Sequence, residues 1–272
     1  MIWVYDQSSR EPEFVWSWKK CAFCGESLKV LHSASEKGSA GGKGHSWFGQ
    51  QLRVCTTCGW WIAHGWRTVE DLVHREDYDE TYGKAACLRD LDLSDLSTPI
   101  ADVRAYLTAR YERRSTLHPR LFEETVASVF ADHGYAAVVT AYSGDGGIDV
   151  ILERGTETVG VQVKRYEKKI EVEQIRSLAG ALLLRGMTAG MYVTTSRFRR
   201  GAAATVNDFA TRGYRIELID ATRFYAALKL AQRNAYKSFA QFPKKDVLDD
   251  LPRLSSRVRY GSDRWSHEGD VW

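Results

Sequence analysis

The sequence predicts an α/β protein in which helices and a mixed sheet form an α/β sandwich, preceded by a small module stapled by a metal. Three observations carry that expectation. From Pro119 to about Leu230 the apolar spacing alternates between the 3.6-residue period of helices and the two-residue period of strands. Inside that stretch Ser143 to Tyr166, SGDGGIDVILERGTETVGVQVKRY, reads as a turn followed by a two-stranded hairpin. Four of the five cysteines fall into two C-x-x-C pairs in the first sixty residues.

Residues 1–68 are rich in Trp and carry Cys21-Ala22-Phe23-Cys24-Gly25 and Cys55-Thr56-Thr57-Cys58-Gly59. Paired knuckles of this kind, each followed by Gly, resemble a zinc ribbon, with Cys21, Cys24, Cys55 and Cys58 converging tetrahedrally on Zn²⁺. A structural zinc contributes folding free energy directly, so such a module needs little core of its own. Ser33 to His45 is rich in Ser, Gly and Lys and reads as a flexible insertion between strands. Cys87 reads as a buried thiol, and His45 and His64 as ordinary side chains rather than ligands. Of Trp16, Trp18, Trp47, Trp60, Trp61 and Trp66, most read as packing residues, the alternative being stacking on unpaired bases. Lys19, Lys20, Lys43 and Arg53 read as solvated charges with phosphate contact as the alternative.

Residues 69–114 read as a helical connector. Val69 to Val73 and Asp95 to Leu107 show apolar residues at helical spacing, and Ser97 or Thr98 before Pro99 is a good helix start. Residues 115–230 then form the α/β domain. A helix over Pro119 to His133 ends at Gly134, with Phe122, Val126, Val129 and Phe130 as its buried stripe, Glu123 beside that stripe and Glu124 on a solvated face. Tyr135 to Tyr142 is a strand, and the hairpin follows. Glu171 to Leu184 is an amphipathic helix whose start presents Gln174 and Arg176 toward the hairpin end. Gly190 to Thr195 is a strand, Ala202 to Arg212 a helix stopped by Gly213, Tyr214 to Ile219 a last strand, and Ala221 to Leu230 a last helix. Residues 231–272 have weak periodicity and read as a loosely ordered tail.

The hairpin carries the chemistry. Alternation puts Gln162 and Lys164 on one face of the second strand and Val161 and Val163 on the other. An acid, Asp149, an amide oxygen, Gln162, and an ammonium, Lys164, suit a hard divalent cation beside a phosphate. The same residues also fit a turn-bonding Asp with a solvated Gln and Lys. Arg165, Lys168, Lys169, Arg176, Arg197, Arg199 and Arg200 bracket this set in sequence, and with Thr194, Thr195 and Ser196 they fit DNA phosphate contacts.

The segments D-G-G-I-D-V and V-Q-V-K-R-Y resemble the Mrr family of restriction endonucleases, a branch of the PD-(D/E)xK nucleases in which Gln takes the second acidic position. H-P-R-L-F-E-E-T-V-A-S-V-F upstream and M-Y-V-T-T-S-R-F-R-R-G-A downstream extend the resemblance from about His118 to about Leu228. It implies a restriction-endonuclease-like fold and Mg²⁺-dependent cleavage of double-stranded DNA. Asp149, Gln162 and Glu123 would hold the metal, Glu123 standing at the family's helix acid, and Lys164 would position water. The resemblance also implies restriction of foreign, often modified, DNA in bacterial defence against phage, with other defence-system proteins as partners. Gln162 in place of an acid removes one charge from the metal site. The reading from another class is a DNA-binding or sensor protein with a degenerate nuclease fold.

Composition sets the remaining bounds. The net charge over 272 residues is only +3, so DNA affinity has to come from local clustering. There is no apolar run of membrane-spanning length and no secretory start, so a cytoplasmic protein with no membrane partner is expected. Cutting both strands needs two sites or two visits, which a homodimer would supply, although no interface is legible.

Overall fold

The computed structural model describes residues 2–4, 19–40, 44–71, 76–141, 146–235, 248 and 258–260. Trp16, Trp18, Lys43, Leu72, Val73, the turn residues Ser143 to Asp145 and most of the tail lie outside them. The chain divides into two compact units, one built on Trp3–Arg89 and the other on Asp90–Lys237.

The first unit is a sheet. Strands β1 (Trp3–Val4), β2 (Leu28–Ala40), β3 (Gly44–Cys55), β4 (Trp61–Asp71), β5 (Glu76–Ala85) and β6 (Cys87–Leu88) follow in order. Neighbours from β2 to β5 pair antiparallel as a meander, and β1 pairs with β6. Leu52 and Val54 are fully buried on one face of β3, while Trp47 on the other is 36% exposed.

Two expectations fail here. Residues 41–43 lie outside the described residues and β3 begins at Gly44, while residues 33–40 are not an insertion between strands but continue β2. Their Ser- and Lys-rich composition belongs to a strand with solvent on its outer side, where polar and charged residues discourage further pairing. Val69 to Asp71 are strand, not helix: Val69 is 4% exposed and pairs with Ser46 and Tyr78. A run of five residues fits a helical period by chance, and ladder bonds to β3 and β5 decide the conformation. The helical connector over 69–114 therefore shrinks to α1 (Ile100–Ala109) and a 3-10 turn (Tyr111–Thr116) within the second unit.

The second unit continues with α2 (Pro119–Asp132), β7 (Ala136–Val139), β8 (Val150–Arg154), β9 (Glu157–Lys164), α3 (Val172–Leu184), β10 (Ala189–Thr194), α4 (Gly201–Ala210), β11 (Arg215–Ile219) and α5 (Ala221–Ala235). The helices and strands expected from Pro119 onward are all present, with α5 running beyond Leu230. The sheet order is β11-β10-β9-β8-β7. β7, β8 and β9 are antiparallel neighbours, while β9, β10 and β11 run parallel, so the sheet is mixed. Strand β9 is its middle strand, buried from Val159 to Val163. Val159, Val161 and Val163 point to the α2 side. Gly160 and Gly190 face α3: a Cβ on either would stand 2.8 or 2.5 Å from Leu182, so these glycines let the helix lie close. In the tail a three-residue strand, β12 (Val258–Tyr260), pairs antiparallel with β5.

Candidate active site

The carboxylate of Asp149 is placed by the way β8 begins. The register of β8 and β9 ends at Val150 opposite Val161, and Asp149, one step beyond, donates its N–H to the Val161 carbonyl at 2.8 Å. Its side chain takes over the ladder from there: Oδ2 accepts the N–H of Val163 at 2.6 Å. From the other side Thr140 donates its N–H to the Asp149 carbonyl at 2.9 Å, and its Oγ1 donates to the Ile148 carbonyl at 2.8 Å. The acid is thus clamped between the end of β7 and the middle of β9, beside Gln162.

Gln162 and Lys164 share the α3 face of β9, as alternation requires. Across the parallel ladder Gln162 is in register with Tyr192 and Lys164 with Thr194. Gln162 is 9% exposed, and its Oε1 is buried with no hydrogen-bond partner. A buried amide oxygen without a donor costs roughly 1–3 kcal/mol, so a cation that prefers oxygen would find an acceptor waiting. Asp149 and Gln162 therefore fit the metal that the donor set implies. The carbonyl of Lys164 accepts from Thr194 Oγ1 at 2.9 Å and from the Thr195 N–H at 3.2 Å, which fixes the backbone beneath the ammonium. Tyr192 is fully buried, and its hydroxyl also lacks a partner. Burial pushes that phenol well above its ordinary pKa, and the nearby Tyr166 and Asp149 push it further.

Glu123 reaches this group through an arginine. Arg120 Nη1 donates to Glu123 Oε2 at 3.2 Å and to the Thr140 carbonyl at 2.8 Å, while its Nε donates to Glu124 Oε1 at 3.2 Å. Thr140 in turn holds Asp149, so Glu123 is linked to the acid through two residues. Its side chain is 19% exposed against 34% for Glu124, which is tied to Arg120 rather than simply solvated. Arg120, Thr140 and Tyr192 were not singled out from sequence. Arg120 has a legible signal, since it lies three and four residues before two acids on one helix. The other two meet the site only through tertiary pairing.

The basic residues divide into two sets. Lys168, Lys169, Arg197 and Arg200 are exposed. Arg165 instead donates to the Ser115 carbonyl, Arg199 pairs with Glu171 at 3.0 Å, and Arg176, 63% exposed, pairs with Glu173 at 3.5 Å. Gln174 caps α3 by accepting the Glu171 N–H. Thr195 and Ser196, expected as phosphate donors, are 2% and 8% exposed, and their hydroxyls are used inside the protein. Thr195 Oγ1 bonds both the N–H and the carbonyl of Tyr166 at 2.9 Å, and Ser196 Oγ donates to the Glu167 carbonyl. They staple the loop after β9 to the loop after β10.

The sequence model of a restriction endonuclease family, Mrr_cat, matches residues 114–228. Those residues are similar to a restriction endonuclease domain. Two solved structures resemble the chain in part. One is the MspJI restriction endonuclease in complex with a 27-mer oligonucleotide: TM-score 0.37, 22% identity, 60% of this chain and 41% of that one. The other is the DNA modification-dependent restriction endonuclease AspBHI: TM-score 0.37, 20% identity, 55% of this chain and 42% of that one. The chain thus spans about two fifths of the length of those proteins. No curated protein matches it. The match begins in the 3-10 turn before α2 and ends in α5, so the matched region contains Glu123, Asp149, Gln162 and Lys164 together.

The second metal candidate lies in the first unit. The Sγ atoms of Cys21, Cys24, Cys55 and Cys58 all lie within 4.8 Å of one another, with Cys24 to Cys55 at 3.4 Å, Cys21 to Cys58 at 3.5 Å and Cys24 to Cys58 at 3.7 Å. Four sulfurs about 2.3 Å from a tetrahedral zinc would be about 3.8 Å apart, so the cluster fits that ion. Both knuckles fold alike: Gly25 N–H bonds the Cys21 carbonyl and Gly59 N–H that of Cys55, and both glycines adopt a positive φ. Hydrogen bonds from neighbouring sulfurs pull the thiols of Cys24 and Cys55 down, and hydrogen bonds to neighbours hold those of Cys21 and Cys58 up. A cation bound there would have to displace the protons that Cys21 and Cys58 retain. The ring of Trp3 donates to the Cys58 carbonyl, and Trp60, 2% exposed, donates to the Ala86 carbonyl. Trp60 and Trp61 are buried packing residues, as expected of most of the tryptophans. Neither His45 nor His64 joins a metal-binding group among the described residues. No helix among them is long and apolar enough to cross a membrane.

Proposed function

We propose that this protein is a divalent-metal-dependent endonuclease that hydrolyses phosphodiester bonds of double-stranded DNA, with Mg²⁺ as the natural ion. Asp149, the Gln162 amide oxygen and Glu123 would hold the ion, and Lys164 would position the attacking water. The observation that carries the reading is the orphaned Oε1 of Gln162 beside the clamped carboxylate of Asp149. When bound, the metal would supply a Lewis acid for the scissile phosphate and lower the pKa of a coordinated water. Lys164 offsets negative charge that builds on the phosphorus oxygens, from a backbone fixed by Thr194 and Thr195. Arg120 orients Glu123 and balances part of the carboxylate charge. Lys168, Lys169, Arg197 and Arg200 contact DNA phosphates.

The biological setting belongs to the same proposal: restriction of foreign, in part modified, DNA in the cytoplasm, as a defence against phage. The four cysteines hold a structural Zn²⁺. Cleavage of both strands calls for a second copy of the active site, which a homodimer would bring. The test is incubation of plasmid DNA, methylated and unmethylated, with wild type, Asp149→Ala and Lys164→Ala in Mg²⁺. Wild type should nick or linearise the plasmid, and both variants should bind without cutting. A wild type that binds and never cuts with any divalent ion would make the protein a DNA sensor built on a nuclease fold.

A further inference from the structure

Two hollows flank Tyr166, and they do not belong to the metal centre. Tyr166 lies two residues beyond Lys164, past the end of β9, is 45% exposed, and is held at its backbone N–H and carbonyl by the buried Thr195 hydroxyl. Tyr166 is thus partly open to solvent on a fixed backbone. One hollow, of about 500 Å³, lies on the side of the 3-10 turn and α5 and has Tyr111, Arg114, Lys169 and Arg197 in its wall. The other, of about 630 Å³, is shared with Arg165 and Lys168. Both volumes fall in the range of about 300–1,000 Å³ that accommodates small organic ligands.

The wall of the first hollow is rigid and mixed in chemistry. Tyr111 stacks on Tyr225 with ring centroids 4.3 Å apart, and the Arg114 guanidinium lies 5.0 Å over the Tyr111 ring. Both phenols are fixed by backbone carbonyls, and Arg114 Nε donates to the Thr195 carbonyl at 2.9 Å. Cationic side chains around an aromatic ridge suit a group that is flat at one end and anionic at the other, which describes a nucleotide. The carboxylates of Glu112 and Glu167 on the same wall would repel a bare phosphate, but they match the amino edge of a base.

We propose that this hollow receives one nucleotide of the DNA being cut, turned out of its stack, with its base against Tyr166 and its phosphate toward Arg114 and Lys169. The inference rests on the nuclease reading and deepens it. The preferred substrate would carry an unstacked or unpaired nucleotide close to the cut, since extruding a paired base costs a few kcal/mol that an already unpaired base does not.

The experiment measures binding apart from cleavage. Dye-labelled 30-mer duplexes, one fully paired, one with a single unpaired adenosine at its centre and one with an abasic analogue there, are titrated by anisotropy in Ca²⁺. Full-length wild type, Tyr166→Phe and Tyr166→Ala are compared. Wild type and Tyr166→Phe should bind the unpaired-adenosine duplex about tenfold more tightly than the paired one, and Tyr166→Ala and the abasic duplex should each reduce that preference to about twofold or less. Equal binding of paired and unpaired duplexes by wild type, or a preference that survives in Tyr166→Ala, overturns the proposal. Displacement of the duplex by free deoxynucleoside monophosphate at micromolar concentration would also overturn it, assigning the hollow to a soluble effector. Plasmid cleavage in Mg²⁺ is scored separately, so a failed base site and a failed nuclease reading give different results.

Discussion

The two units place their metal candidates in opposite ways. In the first, four soft donors come from two short turns that repeat one geometry, each closed by a positive-φ glycine and a bond back to the first cysteine. In the second, three candidate oxygen donors come from the residue before a strand, a strand middle and a helix: Val163 holds Asp149 and Arg120 holds Glu123, while Gln162 Oε1 is left without a partner. The cysteine cluster is closed, with every ligand supplied by the chain. The oxygen set offers only three donors, so water and phosphate would have to complete the shell of a bound ion. A closed site serves folding, and an open one is arranged to hold something that leaves again.

That contrast can be broken most forcefully at the cysteines. Cys55→Ser, or removal of metal with a strong chelator, should take bound zinc from one per chain to none. It should also unfold the first unit, since structural zinc contributes on the order of 10 kcal/mol in small modules. Zinc analysis and limited proteolysis of the full chain provide the readout, and a unit that keeps its protease resistance without zinc would show that the sheet alone suffices.

At the oxygen set the loss should appear in rate rather than in folding. Lys164→Ala should lower cleavage by at least about 10²- to 10³-fold. Asp149→Asn should do the same while still accepting the Val163 N–H, so its melting temperature should stay near wild type. Asp149→Ala should in addition melt earlier, because a buried N–H left unpaired costs about 1–3 kcal/mol. If Asp149→Asn cuts normally, the aspartate is only a ladder substitute.

A finer division lies in the donor chemistry. Gln162→Glu restores the charge that the amide lacks, and the Mg²⁺ concentration for half-maximal cleavage should fall about tenfold, or about 1.4 kcal/mol. Gln162→Leu should raise it, and a flat response in both would remove Gln162 from the metal. Arg120→Ala should raise the same midpoint about fivefold by freeing Glu123. The smallest effect is expected from Arg176→Ala, under about twofold in DNA binding, because an exposed pair with Glu173 contributes little.

The units also differ in how far the sequence discloses them. Cysteine knuckles are local, so two C-x-x-C-G strings identify all four ligands. The α/β domain is legible for a related reason: its helices are strongly periodic, and its hairpin juxtaposes Asp149 and Gln162 within fourteen residues. What escaped was set by tertiary partners. Ser33 to Ala40 look like linker, yet they are strand because β3 lies alongside. Thr195 and Ser196 look like phosphate donors, yet they are buried because the two loops after β9 and β10 meet. Tyr192 looks like core, and only the parallel register sets it opposite Gln162.

The most direct measurement is anomalous diffraction from crystals of the Lys164→Ala protein with DNA and Mn²⁺, which locates the ion independently of turnover. The expected result is a peak contacted by an Asp149 oxygen and Gln162 Oε1, with Glu123 on the α2 side of the ion. A peak away from both Asp149 and Gln162, with Gln162 Oε1 bonded instead to a protein donor, would contradict it.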